Sequence, residues 1–216
     1  QNIWPNLLFL LFSLNLGMNI VFDIGNVVVK HSPSIIFKNT FGEDCDVESL
    51  RKTFFRNHIW KNLSLGKLTE VEAKEKYVKE FELDRTLVNQ FFFHLYNTQE
   101  IIEGTVDLIK RLSDAQYPVY ALTNNIIENV KYLKSQFDFW YFFIGAIVSA
   151  EVQYLKPNKE IYQLLCDRYK LEPNETIFID DYQPNVDSAI SFGLKALQFL
   201  SAKQCEEDLR KFGLEF

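Results

Sequence analysis

Cysteine is scarce in this chain, and long apolar runs and dense basic stretches are missing. The three cysteines, Cys45, Cys166 and Cys205, are odd in number and lack metal-ligand spacing, which argues against a disulfide framework or a metal site. We interpret them as core thiols in a reducing compartment and expect the cytoplasm. The apolar run at residues 7–16 is too short to span a bilayer. A net charge of −6 without a basic cluster argues against a nucleic-acid partner.

Apolar residues are abundant enough for one substantial core. Of 216 residues, 47% are hydrophobic, and there is no internal repeat, low-complexity tract or flexible linker. The only methionine, Met18, stands directly before the first predicted strand. We therefore predict that residues 1–17 are an upstream or non-native extension; the alternative is a truncated signal or anchor.

Strand-like and helix-like segments alternate through most of the chain. Apolar runs at residues 19–23, 118–122, 144–149, 176–179 and 194–199 predict strands, and amphipathic segments between them predict helices. This alternation is typical of a parallel sheet with helices on both faces. Helical periodicity between the first two strands predicts an inserted helical cap at residues 33–100, with the core formed by 18–32 and 101–216.

Asp23 stands where the first buried strand breaks into a turn. A carboxylate at this position is either a turn former or a nucleophile that attacks phosphorus to form an aspartyl phosphate. Three further signals follow later strand-like segments and favour the nucleophile: Thr123-Asn124, Lys156-Pro157 and Asp180-Asp181. The carboxyl ends of parallel strands are where ligands bind in such sheets, so we expect these residues to converge.

Thr123 and Asn124 end a strand just before a predicted helix. A hydroxyl and main-chain N–H groups can converge there on a phosphoryl oxygen, although the same residues can simply cap the helix. Lys156, before Pro157 in a predicted first helical turn, can neutralise charge between nucleophile and phosphoryl group. Most lysines are solvated surface charges, which is the alternative interpretation.

Asp180 and Asp181 are adjacent carboxylates at the end of a buried strand. They repel each other unless a cation compensates, and Mg²⁺ prefers such oxygen ligands together with substrate phosphate. We therefore predict a magnesium site formed by Asp23 with one or both of these residues. A helix-capping role for the pair, with Asn185 as an orienting group, is compatible with that prediction.

The ordered motifs resemble those of the haloacid dehalogenase-like hydrolase superfamily. They are Phe22-Asp23-Ile24-Gly25-Asn26-Val27, Leu122-Thr123-Asn124, Leu155-Lys156-Pro157 and Phe178-Ile179-Asp180-Asp181. The Asp-Ile-Gly-Asn-Val form of the first motif, with Leu65-Gly66-Lys67-Leu68-Thr69 and the segment 156–162, is similar to the bacterial alpha-D-glucose-1-phosphate phosphatase branch. The resemblance implies a Rossmann-like doubly wound parallel sheet with a small helical cap inserted after the first strand.

The resemblance also implies roles for the candidate residues. Asp23 and Lys156 are expected to be catalytic, with Thr123, Asn124 and Lys156 binding the phosphoryl group. Asp23, Asp181, Asp180 and the main-chain carbonyl of Gly25 are expected around Mg²⁺, with Asp180 either a ligand or a neighbour that orients one. The implied activity is hydrolysis of a small phosphorylated metabolite, preferably a sugar phosphate.

The chain departs from the family pattern at Gly25. Most phosphatases of the superfamily carry a second aspartate there as general acid and base, a contribution typically worth about 10²–10⁴ in rate. His31 is a weak substitute, because we expect it on a surface loop. Two alternatives follow: a metal-independent dehalogenase-type hydrolase, whose enzymes also lack that aspartate, or a catalytically impaired protein that binds phosphorylated ligands.

Overall fold

The computed structural model describes residues 17–216, and a five-stranded parallel sheet lies at its centre. The strands are β1 (Asn19–Phe22), β2 (Val29–Lys30), β3 (Glu100–Ile101), β4 (Val119–Thr123), β5 (Gly145–Val148), β6 (Thr176–Asp180) and β7 (Lys195–Gln198). The sheet has the order β5-β4-β1-β6-β7, while β2 and β3 form a separate antiparallel pair. Because β1 lies in the middle, with Ile20, Val21 and Phe22 fully buried, its carboxyl end is surrounded by the ends of β4 and β6.

Helices cover both faces of the sheet, which confirms the predicted doubly wound α/β class. Those that follow the insert are α6 (Thr105–Asp114), α7 (Ile127–Gln136), α8 (Ser149–Val152), α9 (Lys159–Tyr169), α10 (Gln183–Phe192) and α11 (Ala202–Lys211). Helices α1 to α5 belong to the insert and precede these six in the chain. Alternate strand residues enter different cores: Ile20 and Phe22 pack with α6 and α11, whereas Val21 packs with α9 and α10.

Five helices form the insert after the first strand. They are α1 (Pro33–Phe41), α2 (Val47–Phe54), α3 (His58–Ser64), α4 (Glu70–Glu80) and α5 (Arg85–Asn97). Side-chain caps begin two of these helices: Thr69 and Glu72 form a reciprocal capping box at α4, and Asp84 caps α5. The insert has its own aromatic core, in which Phe54 and Phe91 pack with ring centroids 4.2 Å apart. The division into core and cap at residues 33 and 100 stays a prediction.

Three details of the chain path differ from the sequence prediction. Pro157 does not stand in a first helical turn: the Lys156–Pro157 peptide is cis and α9 begins at Lys159. The β2–β3 pair and α11 were not predicted, because two-residue strands are too short to form a pattern and α11 buries only Cys205 and Leu209 among charged residues. The predicted extension at residues 1–17 lies almost entirely outside the described residues. No helix found in residues 17–216 has both the length and the apolar character needed to cross a bilayer.

The insert contacts the core closely at the turn after α3. Gly66 has a positive φ of +65°, and a Cβ added there would lie 1.9 Å from the main-chain oxygen of Ala150 in α8. Beside it, the Ser149 hydroxyl donates a hydrogen bond to the Ser64 carbonyl at 2.7 Å. The two backbones therefore approach at a distance that only glycine permits.

We expect Gly66→Ala to lower the free energy of unfolding by about 2–5 kcal/mol, because overpacking adds to the cost of the left-handed backbone. Gly213→Ala is the matched control. Both glycine N–H groups bond the carbonyl three residues earlier, and both following N–H groups bond the carbonyl five residues earlier. At Gly213, however, φ is +90° and no atom lies within 4 Å of the added Cβ. The control should lose only about 1–2 kcal/mol; equal losses in urea unfolding would contradict the packing argument.

Candidate active site

The predicted site residues follow the carboxyl ends of adjacent strands. Asp23 follows β1, Thr123 ends β4, and Asp180 ends β6 with Asp181 next to it. The main chain of Asp23 is fixed by its N–H, which donates to the Ile179 carbonyl of β6 at 2.8 Å. Strand order therefore brings together residues that are far apart in the sequence, as expected for a ligand site in a parallel sheet.

Lys156 joins two of these strand ends. Its fully buried side chain places Nζ 2.9 Å from Asp23 Oδ1 and 2.7 Å from Asp180 Oδ2. Nζ also donates to the Leu122 carbonyl at 2.9 Å, so each of its three protons has an acceptor. Burial acts to lower the pKa of Lys156, but the charges of Asp23 and Asp180 outweigh it and raise the pKa above its ordinary value. The amino group is therefore a fixed positive charge.

Asp180 is held on both of its oxygens. Its Oδ1 accepts a hydrogen bond from the Tyr182 N–H at 2.8 Å, and the Asn185 amide donates to Oδ1 at 3.1 Å and to Oδ2 at 3.0 Å. Asn185 therefore orients the carboxylate, as the sequence predicted, while the carboxylate bonds the N-terminal turn of α10. Fully buried and fully bonded, Asp180 is the fixed partner that positions Lys156.

Asp23 has one oxygen bound and one oxygen free. Oδ1 is 2.9 Å from Lys156 Nζ and accepts a hydrogen bond from the Ile24 N–H at 2.7 Å. Within residues 17–216, Oδ2 has no hydrogen-bond partner. Burial raises the pKa of Asp23 well above its ordinary value; the Lys156 charge opposes this shift and the Asp180 charge adds to it. Additional positive charge is needed to keep this carboxyl fully ionised at neutral pH.

The residues present fit a divalent metal. Asp23, Asp180 and Asp181 each offer a carboxylate oxygen, and these oxygens lie within 4.8 Å of one another. Burial and the Asp180 charge raise the pKa of Asp181, and the Asn26 side chain opposes that rise. In the described part of the chain the Gly25 carbonyl accepts no hydrogen bond. Hard oxygen donors that repel one another and a carbonyl without a partner are a donor set suited to Mg²⁺.

The two residues of the second motif differ in what they offer. Thr123 lines the cavity, and its hydroxyl makes no hydrogen bond to any described residue. The Asn124 side chain is already engaged: its amide donates to the Lys156 carbonyl and its oxygen accepts from the Lys156 N–H, both at 2.9 Å. The Asn124 side chain therefore fixes the segment that carries Lys156, and it is not available to an anion in the cavity.

Gly25 leaves open space where a side chain would stand. An added Cβ would meet no atom within 4 Å, and the φ of Gly25 lies outside the left-handed region; its neighbour Asn26 has the positive φ, 54°. A larger residue therefore fits at position 25 without strain. The missing carboxylate is a property of the sequence and is not imposed by packing.

A cavity of about 450 Å³ opens above the strand ends, between the insert and the core. Phe55 and Trp60 line it, and their rings pack edge to face at 4.8 Å. Phe54, Phe91 and Phe92 are instead buried in the core of the insert, whereas Phe93 is 57% exposed. The cavity is larger than a phosphate ion and falls in the range of pockets for small organic ligands.

His31 lies on the loop after β2, as expected, and its half-buried side chain forms part of the cavity wall. Its ring packs edge to face on Phe55 with the ring centroids 5.5 Å apart. The main-chain N–H of His31 donates a hydrogen bond to the Asn26 side-chain oxygen at 2.9 Å. Burial, together with the Arg51 charge, lowers the pKa of His31 to about 4. The imidazole is therefore neutral at pH 7 and has no extra proton to give a leaving group.

Four cavity residues were not identified from the sequence: Arg51, Gln99, Asn125 and Asn129. The last three form a chain in which Gln99 donates to Asn129 at 2.6 Å and Asn129 donates to Asn125 at 2.9 Å. The spacing of Asn125 and Asn129 at the start of a predicted helix after a strand was a usable signal. Nothing comparable marked Arg51, since its orientation depends on how the helices of the insert pack.

Sequence comparison identifies relatives along most of the chain. Residues 18–193 match the family model of the haloacid dehalogenase-like hydrolases. A flavin mononucleotide hydrolase of Arabidopsis thaliana is 31% identical over 118 residues, which are 52% of this chain and 46% of that protein. A sesquiterpene phosphatase of Aspergillus oryzae is 23% identical over 193 residues, 88% of this chain and 94% of that protein. The chain thus matches about half the length of the first relative and nearly all of the second.

Solved structures show the same fold. A predicted HAD-like hydrolase of Porphyromonas gingivalis superposes with a TM-score of 0.74 at 21% identity, covering 93% of this chain and 100% of that one. A HAD family enzyme of Bacteroides thetaiotaomicron, in complex with magnesium and inorganic phosphate, superposes with a TM-score of 0.71 at 20% identity, covering 85% of this chain and 94% of that one. With the family model matched over residues 18–193, the chain belongs to the haloacid dehalogenase-like hydrolase family.

Proposed function

We propose that the chain is a Mg²⁺-dependent phosphatase of a small phosphorylated metabolite, with sugar phosphates preferred. The observation that carries this proposal is the cluster of Asp23, Asp180 and Asp181 with carboxylate oxygens within 4.8 Å, next to the buried Lys156. A nucleophilic carboxylate, a metal-ligating pair and a fixed cation are the groups that phosphoryl transfer to an aspartate needs.

Each residue has a distinct task in the proposed reaction. The Asp23 carboxylate attacks phosphorus and forms an aspartyl phosphate while the leaving group departs; water then hydrolyses the intermediate. Lys156 offsets the charge of the attacking carboxylate, and the Thr123 hydroxyl with the Asn124 N–H binds phosphoryl oxygens. Asp23, Asp181 and the Gly25 carbonyl, with Asp180 as ligand or orienting neighbour, would hold Mg²⁺, which supplies positive charge to the phosphoryl group.

The relatives and the cavity wall support a phosphate ester as substrate. Two relatives carry the names flavin mononucleotide hydrolase and sesquiterpene phosphatase, and one structural neighbour holds magnesium and phosphate. Gln99, Asn125 and Asn129 give the wall a polar side suited to hydroxyl groups. The three free thiols support a reducing compartment, in our proposal the cytoplasm.

The carboxylate cluster disfavours metal-independent dehalogenation. A halo-acid is itself an anion, and three carboxylates with one lysine repel it unless another cation binds. Chloride release without Mg²⁺ would overturn this choice. A protein that only binds phosphorylated ligands would be stabilised thermally by sugar phosphate with Mg²⁺ and would show no turnover even at high protein concentration.

Replacing the nucleophile should abolish the reaction. We expect Asp23→Asn to reduce phosphate release from a panel of phosphorylated metabolites by at least about 10³-fold, since an amide cannot form the acyl phosphate. Asp44→Asn, an exposed carboxylate of the insert, is the control and should retain wild-type rates. Wild-type rates in Asp23→Asn would exclude the proposed mechanism.

Metal removal should act on the same site. EDTA is expected to stop phosphate release and excess Mg²⁺ to restore it, because the metal neutralises the carboxylate cluster. Asp181→Asn should raise the Mg²⁺ concentration needed for half-maximal activity by about tenfold or more, because it removes one of the charged carboxylate ligands that bind a hard cation. An unchanged Mg²⁺ requirement in Asp181→Asn, measured by titration, would remove Asp181 from the ligand set.

Gly25→Asp should increase turnover. The position has room for a side chain, and general acid–base catalysis is typically worth about 10²–10⁴ in rate, so we expect an increase of at least about tenfold. Gly25→Asn and Gly25→Ala, which fit the same space without a titratable group, should give no increase. The rates are compared on an alkyl phosphate, whose poor leaving group depends most on proton transfer. Equal rates in the Asp and Asn variants would show that proton transfer is not limiting.

A further inference from the structure

Arg51 stands apart from the other arginines. It lies in α2, half-buried, and its side chain lines the cavity. Four others form ion pairs with glutamates: Arg56, Arg85, Arg111 and Arg210. Arg168 is exposed on the outer surface of α9. Among residues 17–216, Arg51 is the only arginine that lines the cavity and has no carboxylate within ion-pair distance.

The surroundings of Arg51 leave its charge uncompensated. The nearby His31 is held neutral at pH 7 by burial and by the Arg51 charge itself, so it adds no negative or positive charge. Two carboxylates line the same cavity, but Asp23 is paired with Lys156 and Asp181 does not lie within ion-pair distance of Arg51. Phe54, fully buried in the core of the insert, fixes the helix that carries Arg51. A guanidinium in a partly apolar wall with five free donors binds anions strongly.

We propose that Arg51 binds a second anionic group of the substrate, carried by the leaving group away from the transferred phosphoryl. The inference rests on the proposed phosphatase function for the position of the first phosphate. A carboxylate and a second phosphate share the required chemistry, because both accept the two parallel hydrogen bonds of a guanidinium. Within the proposed class of sugar phosphates, the substrate is therefore a sugar-acid phosphate or a sugar bisphosphate, rather than the monophosphate of a neutral sugar.

Two other residues of the cavity wall, Asn125 and Gln99, suit the part of the substrate that carries the two anions. Asn125 uses its oxygen for the Ile126 N–H and the Asn129 amide, both at 2.9 Å, and its NH₂ group has no partner in the described chain. The Gln99 amide donates to Asn129, while its oxygen accepts no bond from described residues. One free donor and one free acceptor suit hydroxyl groups. A hydroxylated chain or ring with an acidic group thus fits the 450 Å³ cavity.

Paired substrates test the role of Arg51 directly. Phosphogluconate is compared with glucitol phosphate, which replaces the carboxylate by a hydroxymethyl group, and glucose bisphosphate is compared with the monophosphate. For wild type we expect a higher kcat/KM with the anionic member of at least one pair. Arg51→Met should lower that preference by about 10- to 100-fold, the usual worth of a charged hydrogen bond, and Arg51→Lys should retain part of it. The carboxylate and bisphosphate arms identify which anion is recognised.

Lys52→Met is the matched control, because Lys52 lies next in the same helix but is exposed and outside the cavity. Its preference should equal that of wild type. The inference is overturned if wild type shows no preference for either anionic member. It is also overturned if Arg51→Met slows both members of a pair equally, which would mean that Arg51 acts on the transferred phosphoryl or on folding.

Calorimetric binding separates this inference from the proposed function. The same pairs are titrated with Mg²⁺ into Asp23→Asn and into Asp23→Asn combined with Arg51→Met. Tighter binding of the anionic member that depends on Arg51, in a protein without any phosphatase activity, would retain the inference and reject the proposed function. Phosphatase activity with identical binding of both members would reject the inference and leave the function standing.

Discussion

Lys156 holds its charge between Asp23 and Asp180 with no part of its side chain exposed, and the remaining site is arranged around that contact. Two carboxylates on neighbouring strands would repel each other if the lysine were absent. A buried charge that loses its partner is strongly destabilising, by about 3–5 kcal/mol. Backbone hydrogen bonds fix the distance between the ends of β1 and β6, and the ion pair fixes the side chains there, including the position of Asp23 Oδ1.

Groups that do not touch the cavity centre keep this contact in place. Asn124 clamps the main chain of Lys156 through both its amide N–H and its oxygen, and Asn185 bonds both oxygens of Asp180. Each arrangement leaves a carboxylate or amine with a single orientation. The asparagine of the Thr123-Asn124 pair therefore positions the cation, while the adjacent threonine lines the cavity.

The sequence predicted the features that depend on short-range patterns. Apolar runs gave the five strands of the sheet, and the position of Asp23, Thr123 and Asp180 at strand ends predicted their convergence, because strand order brings such ends to one edge. Features that depend on helix packing were not accessible. Arg51, Gln99 and the neutral state of His31 follow from how α2 and α5 lie over the core, and no local pattern encodes that orientation. The role of the Asn124 side chain was equally hidden, because its partner is the main chain of residue 156.

Charge balance connects Gly25 with the rest of the site. Three clustered carboxylates and one lysine leave excess negative charge, and the raised pKa values of Asp23 and Asp181 reflect the cost of ionising both in a buried place. In the proposed phosphatase reaction, an aspartate at position 25 would add a fourth carboxylate close to the incoming phosphoryl group. Glycine removes that repulsion and gives up a proton-transfer group. The cavity has space for the side chain, so packing does not explain why the proton-transfer group is missing. In the proposed reaction, either the leaving group needs little protonation or turnover is slow.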